Sequence, residues 1–453
     1  MKSLFLIFTT LLVTSCSFDN KTGIWRDASK IVLENQNTNL SESGQTQRRL
    51  EDVFTKNKIF NEEKDSLTTF EFDLDLPKRL ESWTEKYANL NNNVPNILYR
   101  GDKIFISKTS KLSKTSKNKD SIFYNNNLVS YDHKGKIFVY SLDQNKKIFE
   151  YNFYKKKFKK IEKEIFLITD SDILYVADNL GYVYAINLKN KSLIWAKNYG
   201  IPFRSNLKFF GGQLFLANQD NTVYSINPLN GEKNWQFATS LTFLKTDFKN
   251  NFAIDEVSNN LFFLNTSGEL YSINFINQKI NWVINFKNSS LSSDTGLFLG
   301  LPIVLKNKNL IIVTENAILN IDFETSSRNW RFPSKIILKP ILTSNYTYVV
   351  AKNNLLICLD NVTGQVIWSK NIFKSLLKEK KILKKIGKFQ DFKMINNELN
   401  IFSKNGYVLS FDHNNGYFKF VDKISNKGIS SEVFFLKDSM FLIDNKNKLL
   451  KFN

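Results

Sequence analysis

From residue 120 to the end of the chain, short runs of β-branched, aromatic and aliphatic residues alternate with clusters of Asn, Asp and Gly. Runs of this length bounded by turn-forming residues predict β-strands. Their best-kept version is an aromatic or aliphatic residue, any residue, an aliphatic residue or Phe, and then Asn or Asp. Eight copies end at Asp143, Asn187, Asn227, Asn274, Asp322, Asp360, Asp412 and Asn453, spaced 44, 40, 47, 48, 38, 52 and 41 residues apart. Several runs are apolar at every position, as in Phe262-Phe263-Leu264, so both faces of such a strand must be covered. Helical spacing fails across the repeat; sheets are required.

Each interval accommodates four strands. In the third, 205–210, 213–217, 222–226 and 234–239 are predicted strands, with 227–231 as the turn before the last. Asn or Asp suits the start of that turn, because its side chain can accept bonds from backbone amides two residues on. Gly231, Gly364 and Gly416 stand four residues later, where a positive φ is wanted. Eight residues after the polar end comes Trp195, Trp235, Trp282, Trp330 or Trp368. Phe420 takes that place after Asp412, and the shorter first copy offers Phe149. A period near 44 residues with four strands per repeat predicts a β-propeller. The last copy reaches Asn453 with three strands and no Trp strand, whereas 81–87, around Trp83, reads as a Trp strand without a repeat. Joining the two makes eight blades and leaves no open edge in the last. The expectation is an all-β, eight-bladed propeller of four-stranded antiparallel blades over residues 81–453, its last blade closed by an N-terminal strand.

The first 80 residues differ. Lys2 precedes an apolar stretch from Leu4 to Val13 that is too short to span a bilayer and reads as a signal peptide. It ends in Val13-Thr14-Ser15-Cys16, which resembles the lipobox of bacterial lipoproteins and implies cleavage after residue 15 with acylation of Cys16. Ser17, not Asp, follows, which in that resemblance favours the outer membrane over the inner. Residues 16–80 are predicted as a polar, lipidated tether with too little apolar surface to fold independently. One or two short docking segments are expected in it, around Gly23-Ile24-Trp25 and Thr69-Phe70-Glu71-Phe72.

Lys and Arg number 63 against 43 Asp and Glu, a formal net charge of +20. Such an excess suits nucleic acid, anionic lipid or acidic partners, and an exported address argues against nucleic acid. The excess is mainly Lys in a chain rich in Asn, Ile and Phe and poor in Pro and His. The composition bias of an AT-rich genome accounts for it without a function. With Cys16 acylated, Cys358 has no disulfide partner, and its setting at 355–359 predicts a small packed hydrophobe. His133 and His413 each follow a turn-like Asp and read as solvated side chains, not metal ligands. No Ser-His-Asp set, zinc spacing or phosphate-cradling Gly loop is present.

The Tyr-x-Ile-Asn run with Gly and Trp at fixed offsets resembles the pyrroloquinoline-quinone-type propeller repeat. With a lipobox ahead and an ending after a third strand, residues 81–453 resemble the BamB family, lipoprotein subunits of the machinery that inserts β-barrel proteins into the outer membrane. The resemblance implies a non-catalytic scaffold without cofactor on the periplasmic face of that membrane. Its implied partner is a POTRA domain of a BamA-type subunit. The implied docking site is a set of connections from the fourth strand of one blade to the first of the next, near mid-chain. There, 239–246 contains Leu241, Phe243, Leu244 and Lys245, similar to the family's Ser-Leu-polar-Leu-Arg run with one insertion and Lys for Arg. The next connection, 288–294, offers Asp294 at an acidic position. The other reading of Leu241, Phe243 and Leu244 is that they begin an inner strand.

Related propellers are quinone enzymes with Ca²⁺ near the axis and a vicinal cysteine pair. That pair is missing here, and no loop concentrates the six to eight oxygens that Ca²⁺ takes. A quinone-dependent oxidoreductase is the alternative, as is a periplasmic propeller for another ligand. Two Lys-rich stretches, 155–160 and 374–388, form a second candidate surface for anionic lipid, peptidoglycan or an acidic protein. Solvated loops are their other reading. The second stretch predicts a short amphipathic helix.

Overall fold

Eight four-stranded antiparallel sheets ring a common axis in the computed structural model. It describes residues 16–19, 24–27, 59–66, 74–113, 120–132, 134–154, 158, 160–243, 246–286, 297–374, 376 and 380–453. The chain divides into two compact units, Met1–Lys58 and Ile59–Asn453. In the first unit, strands Cys16–Asp19 and Ile24–Asp27 form an antiparallel hairpin with Phe18 opposite Trp25. The predicted signal peptide and the segment 69–72 lie outside the described residues.

In the second unit, blades 1 to 7 occupy 121–151, 165–198, 208–238, 251–285, 304–332, 341–371 and 389–423. The first strands of successive blades lie against one another around the axis, and the fourth strands form the rim. Middle strands such as Asn260–Leu264 and Leu355–Asp360 are buried almost throughout, because a neighbouring blade covers each face. That is the reason for the uniformly apolar runs. Each such side chain contributes about 1.5–3 kcal/mol relative to exposure. Cys358 is one of these packed residues, fully buried.

The repeated Trp and Gly hold adjacent blades together. The indole N–H of Trp195 donates to Pro228 O at 2.8 Å, that of Trp330 to Asn361 O at 2.8 Å and that of Trp368 to His413 O at 3.1 Å. In each case the acceptor follows the polar end of the next blade's repeat. That Asn or Asp caps its own turn as expected: Asn227 Oδ1 accepts from Leu229 N at 2.9 Å and Asp360 Oδ1 from Val362 N at 3.0 Å. Gly231, with φ at 71°, lies against the Trp195 ring so closely that an added Cβ would sit 2.6 Å from it. The glycine therefore meets two demands, a left-handed turn and room for the neighbour's indole. Trp235 is an exception: its buried indole N–H has no partner among the described residues.

Blade 8 is split, but Trp83 does not complete it. Strands Phe434–Leu436, Ser439–Ile443 and Leu449–Phe452 are joined at the rim by Phe105–Lys108, with Phe105 opposite Phe452 and Lys108 opposite Leu450. Trp83 lies at the other end of the radius. It is only 1% exposed, packed edge-on against Phe434 with ring centroids 5.3 Å apart. An alternating Ser-Trp-Thr-Glu segment looks the same in sequence whether it adds to a rim or fills an axis, and only the burial distinguishes them.

The chain around Trp83 makes one circuit of the axis and bonds to every blade in order. Leu80 O accepts from Lys437 N of blade 8 at 2.9 Å, and Trp83 exchanges both backbone bonds with Phe123 of blade 1 at 3.0 and 2.8 Å. Thr84 O accepts from Thr169 N of blade 2 at 2.9 Å. Lys208 of blade 3 donates to Asn89 O at 2.6 Å. Leu90 O accepts from Ile254 N of blade 4 at 2.9 Å, and Asn91 O from Leu305 N of blade 5 at 3.0 Å. Asn93 Nδ2 donates to Leu342 O of blade 6 at 2.7 Å, and Ile97 N to Met394 O of blade 7 at 3.0 Å.

Part of the stretch expected to be tether also belongs to this unit. Lys64 and Ser369 exchange backbone bonds at 3.0 and 2.9 Å on the outer edge of blade 6, and Phe60 packs on Phe332 with centroids 5.1 Å apart.

Candidate functional site

Strand order places the connections from outer to next inner strand at one end of the ring, together with the turns between second and third strands. Both implied partner segments are such connections, joining blades 3 and 4 and blades 4 and 5. In the first, Leu241 is 52% and Phe243 88% exposed. The inner-strand reading of these two residues is therefore corrected: the strand of blade 4 starts at Asn251 (Asn251–Asp255). Leu244, Lys245 and Asp294 lie outside the described residues.

The two connections touch. Thr246 Oγ1 donates to Phe298 O at 3.2 Å, and the rings of Phe248 and Phe298 meet edge-to-face at 5.2 Å. Arg204, from the connection before, donates to Thr246 O and to Phe248 O, the latter at 3.3 Å. Ser240 Oγ donates to Glu269 at 2.6 Å, and this bond, with those from Asn265 and Tyr271, holds the Glu269 carboxyl below its usual range despite burial. The exposed apolar pair thus projects from a braced base. Sequence reasoning did not find Arg204 or Glu269, since neither belongs to the repeat.

Beside these connections the mouth of the axis opens into a cavity of about 460 Å³, walled by Phe166, Leu207, Phe248 and Leu301 and floored by Lys86 and Tyr87 of the axial circuit. Tyr87 and Ala88 both have positive φ, 68° and 74°, a conformation that costs a non-glycine residue of order 1 kcal/mol or more. Below them lies a set of buried charges. Lys208 pairs with Glu85 at 2.6 Å and Lys393 with Asp391 at 2.7 Å. Burial pushes the Glu85 carboxyl up and the Lys208 amine down, and their attraction offsets this only in part. Burial also works against the Lys86 ammonium, yet Asp120 and Glu432 outweigh it and hold that amine above its usual range. Lys339 donates to Asn92 O at 2.5 Å and has no ion pair among the described residues. Burial, with Lys393 nearby, lowers it to about 7.

This arrangement does not suit an axial quinone. Trp83, Glu85 and Asn92 of the chain's own axial circuit are buried there. Among the described residues no group of three or more His, Cys, Asp or Glu side chains is placed to hold a metal ion. No helix among them is long and apolar enough to cross a membrane. Cys16 opens the strand Cys16–Asp19 in the first unit, and His133 lies outside the described residues.

Split closure, Trp residues of blades 2, 4, 5 and 6 docked on the next blade's turn, and eight four-stranded blades define a propeller of the pyrroloquinoline-quinone repeat class. The sequence profile of the family described as outer membrane protein assembly factor BamB matches residues 134–370, and the chain belongs to that family. Among solved structures it is similar to BamB from Moraxella catarrhalis, with a TM-score of 0.60 and 11% identity over 77% of this chain and 99% of that one. It is also similar to a quinohemoprotein alcohol dehydrogenase from Pseudomonas putida HK5, with a TM-score of 0.57 and 10% identity over 82% of this chain and 80% of that one. The computationally designed Ika8 protein shares the fold as well, with a TM-score of 0.56 and 10% identity over 78% and 99% of the two chains. At these identities the likeness is one of fold. No curated protein sequence matches the chain.

Proposed function

We propose that the protein is a non-catalytic scaffold of the outer-membrane β-barrel assembly machinery, anchored through acylated Cys16 on the periplasmic face. In this reading it holds a POTRA-type domain of a BamA-like subunit on the connections 240–246 and 288–294. The observation that carries the reading is the exposure of Leu241 and Phe243 on a connection braced by Arg204 and by its neighbour. A few apolar anchors beside charges suit a partner surface, where anchors carry affinity and charges set orientation. Affinity capture of the BamA-like subunit with Leu241→Ala plus Phe243→Ala tests it. Because both side chains are exposed, melting should be unchanged. Capture should weaken by about 1–3 kcal/mol per anchor lost. Undiminished capture by the folded variant would reject the face.

The second reading, a quinone-dependent oxidoreductase, has the fold likeness to alcohol dehydrogenases in its favour. The axial circuit speaks against it. Saturable quinone uptake at one equivalent per chain in the presence of Ca²⁺ would reinstate it.

A further inference from the structure

At Ile104, Phe105 and Ile106 three consecutive large apolar side chains are each more than half exposed, at 61%, 53% and 52%. No other such run of three occurs among the described residues. Ile104 precedes and the other two begin the rim strand of blade 8, which pairs with Leu449–Phe452 on its inner side and has no described strand on its outer side. An exposed apolar edge strand is a template for pairing with another chain, and proteins ordinarily cover it or blunt it with charge. The outer edge of blade 6 is covered in this way by the bridge from Lys64 to Ser369. Beside the blade 8 edge, a groove of about 670 Å³ runs between the rims of blades 7 and 8, lined by Phe105, Ile424, Leu450 and Phe452.

We propose that this edge pairs antiparallel with the same edge of a second copy of the chain, about a two-fold axis through Phe105. The strand and its lead-in are self-complementary about that residue. Read against itself in reverse, Asp102-Lys103-Ile104-Phe105-Ile106-Ser107-Lys108 sets Phe105 opposite Phe105, Ile104 opposite Ile106 twice and Asp102 opposite Lys108 twice. A two-fold contact uses the same patch on both partners and so must be self-complementary. A surface for a foreign strand has no reason to be. Asp102 is exposed and makes no ion pair with a described residue. Lys108 is held in place by Asp444 of its own blade at 2.9 Å.

The contact is short. Lys103 has a positive φ of 57°, so the extended backbone begins at Ile104, and the bulge between Phe105 and Ser107 bends the edge. Small interfaces are weak, and the dimer should dissociate with a constant on the order of 100 μM. The groove beside Phe105 leaves room for the side chains of the second copy. The connections between blades 3 and 5 take no part, so the inference stands apart from the partner proposed for them.

The test is sedimentation velocity of the full chain, carrying Cys16→Ser so that no acyl group contributes, from about 1 μM to about 500 μM, a range that brackets such a constant. A shift from monomer to dimer with concentration is expected. Each substitution acts twice in a two-fold contact. Ile106→Lys places a charge on an exposed edge position, so melting should be unchanged while dimerisation weakens at least about tenfold. Leu229→Lys and Val257→Lys, at exposed positions on turns of blades 3 and 4, should leave it within about twofold. Charge reversal reads the register. Asp102→Lys alone sets Lys against Lys twice, and Lys108→Asp alone sets Asp against Asp twice, so each should dimerise about tenfold more weakly. An equimolar mixture of the two restores both opposite pairs and should recover a dimer near wild-type strength. Lys108→Asp also loses its bond to Asp444, so its melting is followed alongside. If it does not fold, Asp102→Lys and Ile106→Lys still decide. A monomer throughout the range, a dimer that Ile106→Lys leaves intact, or a mixture of folded variants no tighter than its components would each overturn the proposal. So would Ile106→Lys abolishing capture of the BamA-like subunit while self-association persists, which would assign the edge to a foreign partner.

Discussion

Two stretches from the N-terminal side of the propeller unit close its ring, and they do so by opposite means. The axial circuit, 78–97, enters the centre and is buried: Trp83, Asn92 and Ile97 are no more than 1% exposed. The rim strand Phe105–Lys108 adds the fourth strand to blade 8 and is exposed at every position. One closure is by burial and buried polar bonds, the other mainly by backbone pairing, helped by Phe105 edge-on to Phe452 and by Lys108 paired with Asp444 at 2.9 Å. Pairing gives topology, since without it blade 8 has three strands and an open edge. Burial gives stability, because net hydrogen-bond contributions are about 1 kcal/mol each while a buried aromatic contributes several times that.

The sharpest way to break this comparison is Trp83→Ala, expected to cost about 3–5 kcal/mol in denaturant unfolding by emptying a large buried site. A smaller loss than that of any rim variant would show that the axis is not the keystone. Lys208→Met comes next. It leaves Glu85 buried without its cation and should cost about 3 kcal/mol, most of it recovered in Glu85→Leu plus Lys208→Met. Absence of that recovery in the double variant would mean that the pair does not act as a unit.

The third prediction concerns pH. With Lys339 lowered to about 7 in the folded state against 10.5 as its ordinary value, the unfolded chain binds more protons between those values. Stability should then rise with pH across that window, by up to about 2 kcal/mol from pH 7 to pH 9. The groups around it are Lys393, Lys208, Glu432 and Asp391. Lys339→Met should flatten the rise relative to wild type, and identical slopes would exclude the assignment. The smallest effect is expected at the rim. Phe105, 53% exposed and edge-on to Phe452, should lose about 1 kcal/mol or less on change to Ala.

What was legible follows from what is local. The Asn or Asp at the turn, the Gly four residues on and the Trp after it are tied by one turn and one adjacent blade, so their spacing survives in the chain. The short helix in 374–388 was legible for the same reason. The role of Trp83 was not, because the signal of an outer strand is alternation, and alternation does not report what lies above and below. Nor did the repeat point to Arg204, Lys86 or Tyr87, which act from outside it. The exposure of Leu241 and Phe243 depended on where the first strand of blade 4 begins, and two apolar residues near a boundary do not fix that.

The sequence by itself determined the number of blades, the four strands in each, the split of the eighth and the repeating positions of the turn Gly and the Trp. These are consequences of repetition, and repetition is visible in one dimension. Tertiary structure alone decided which N-terminal segment reached the rim and which filled the axis, since both carry strand-like patterns and only the space at each place discriminates between them.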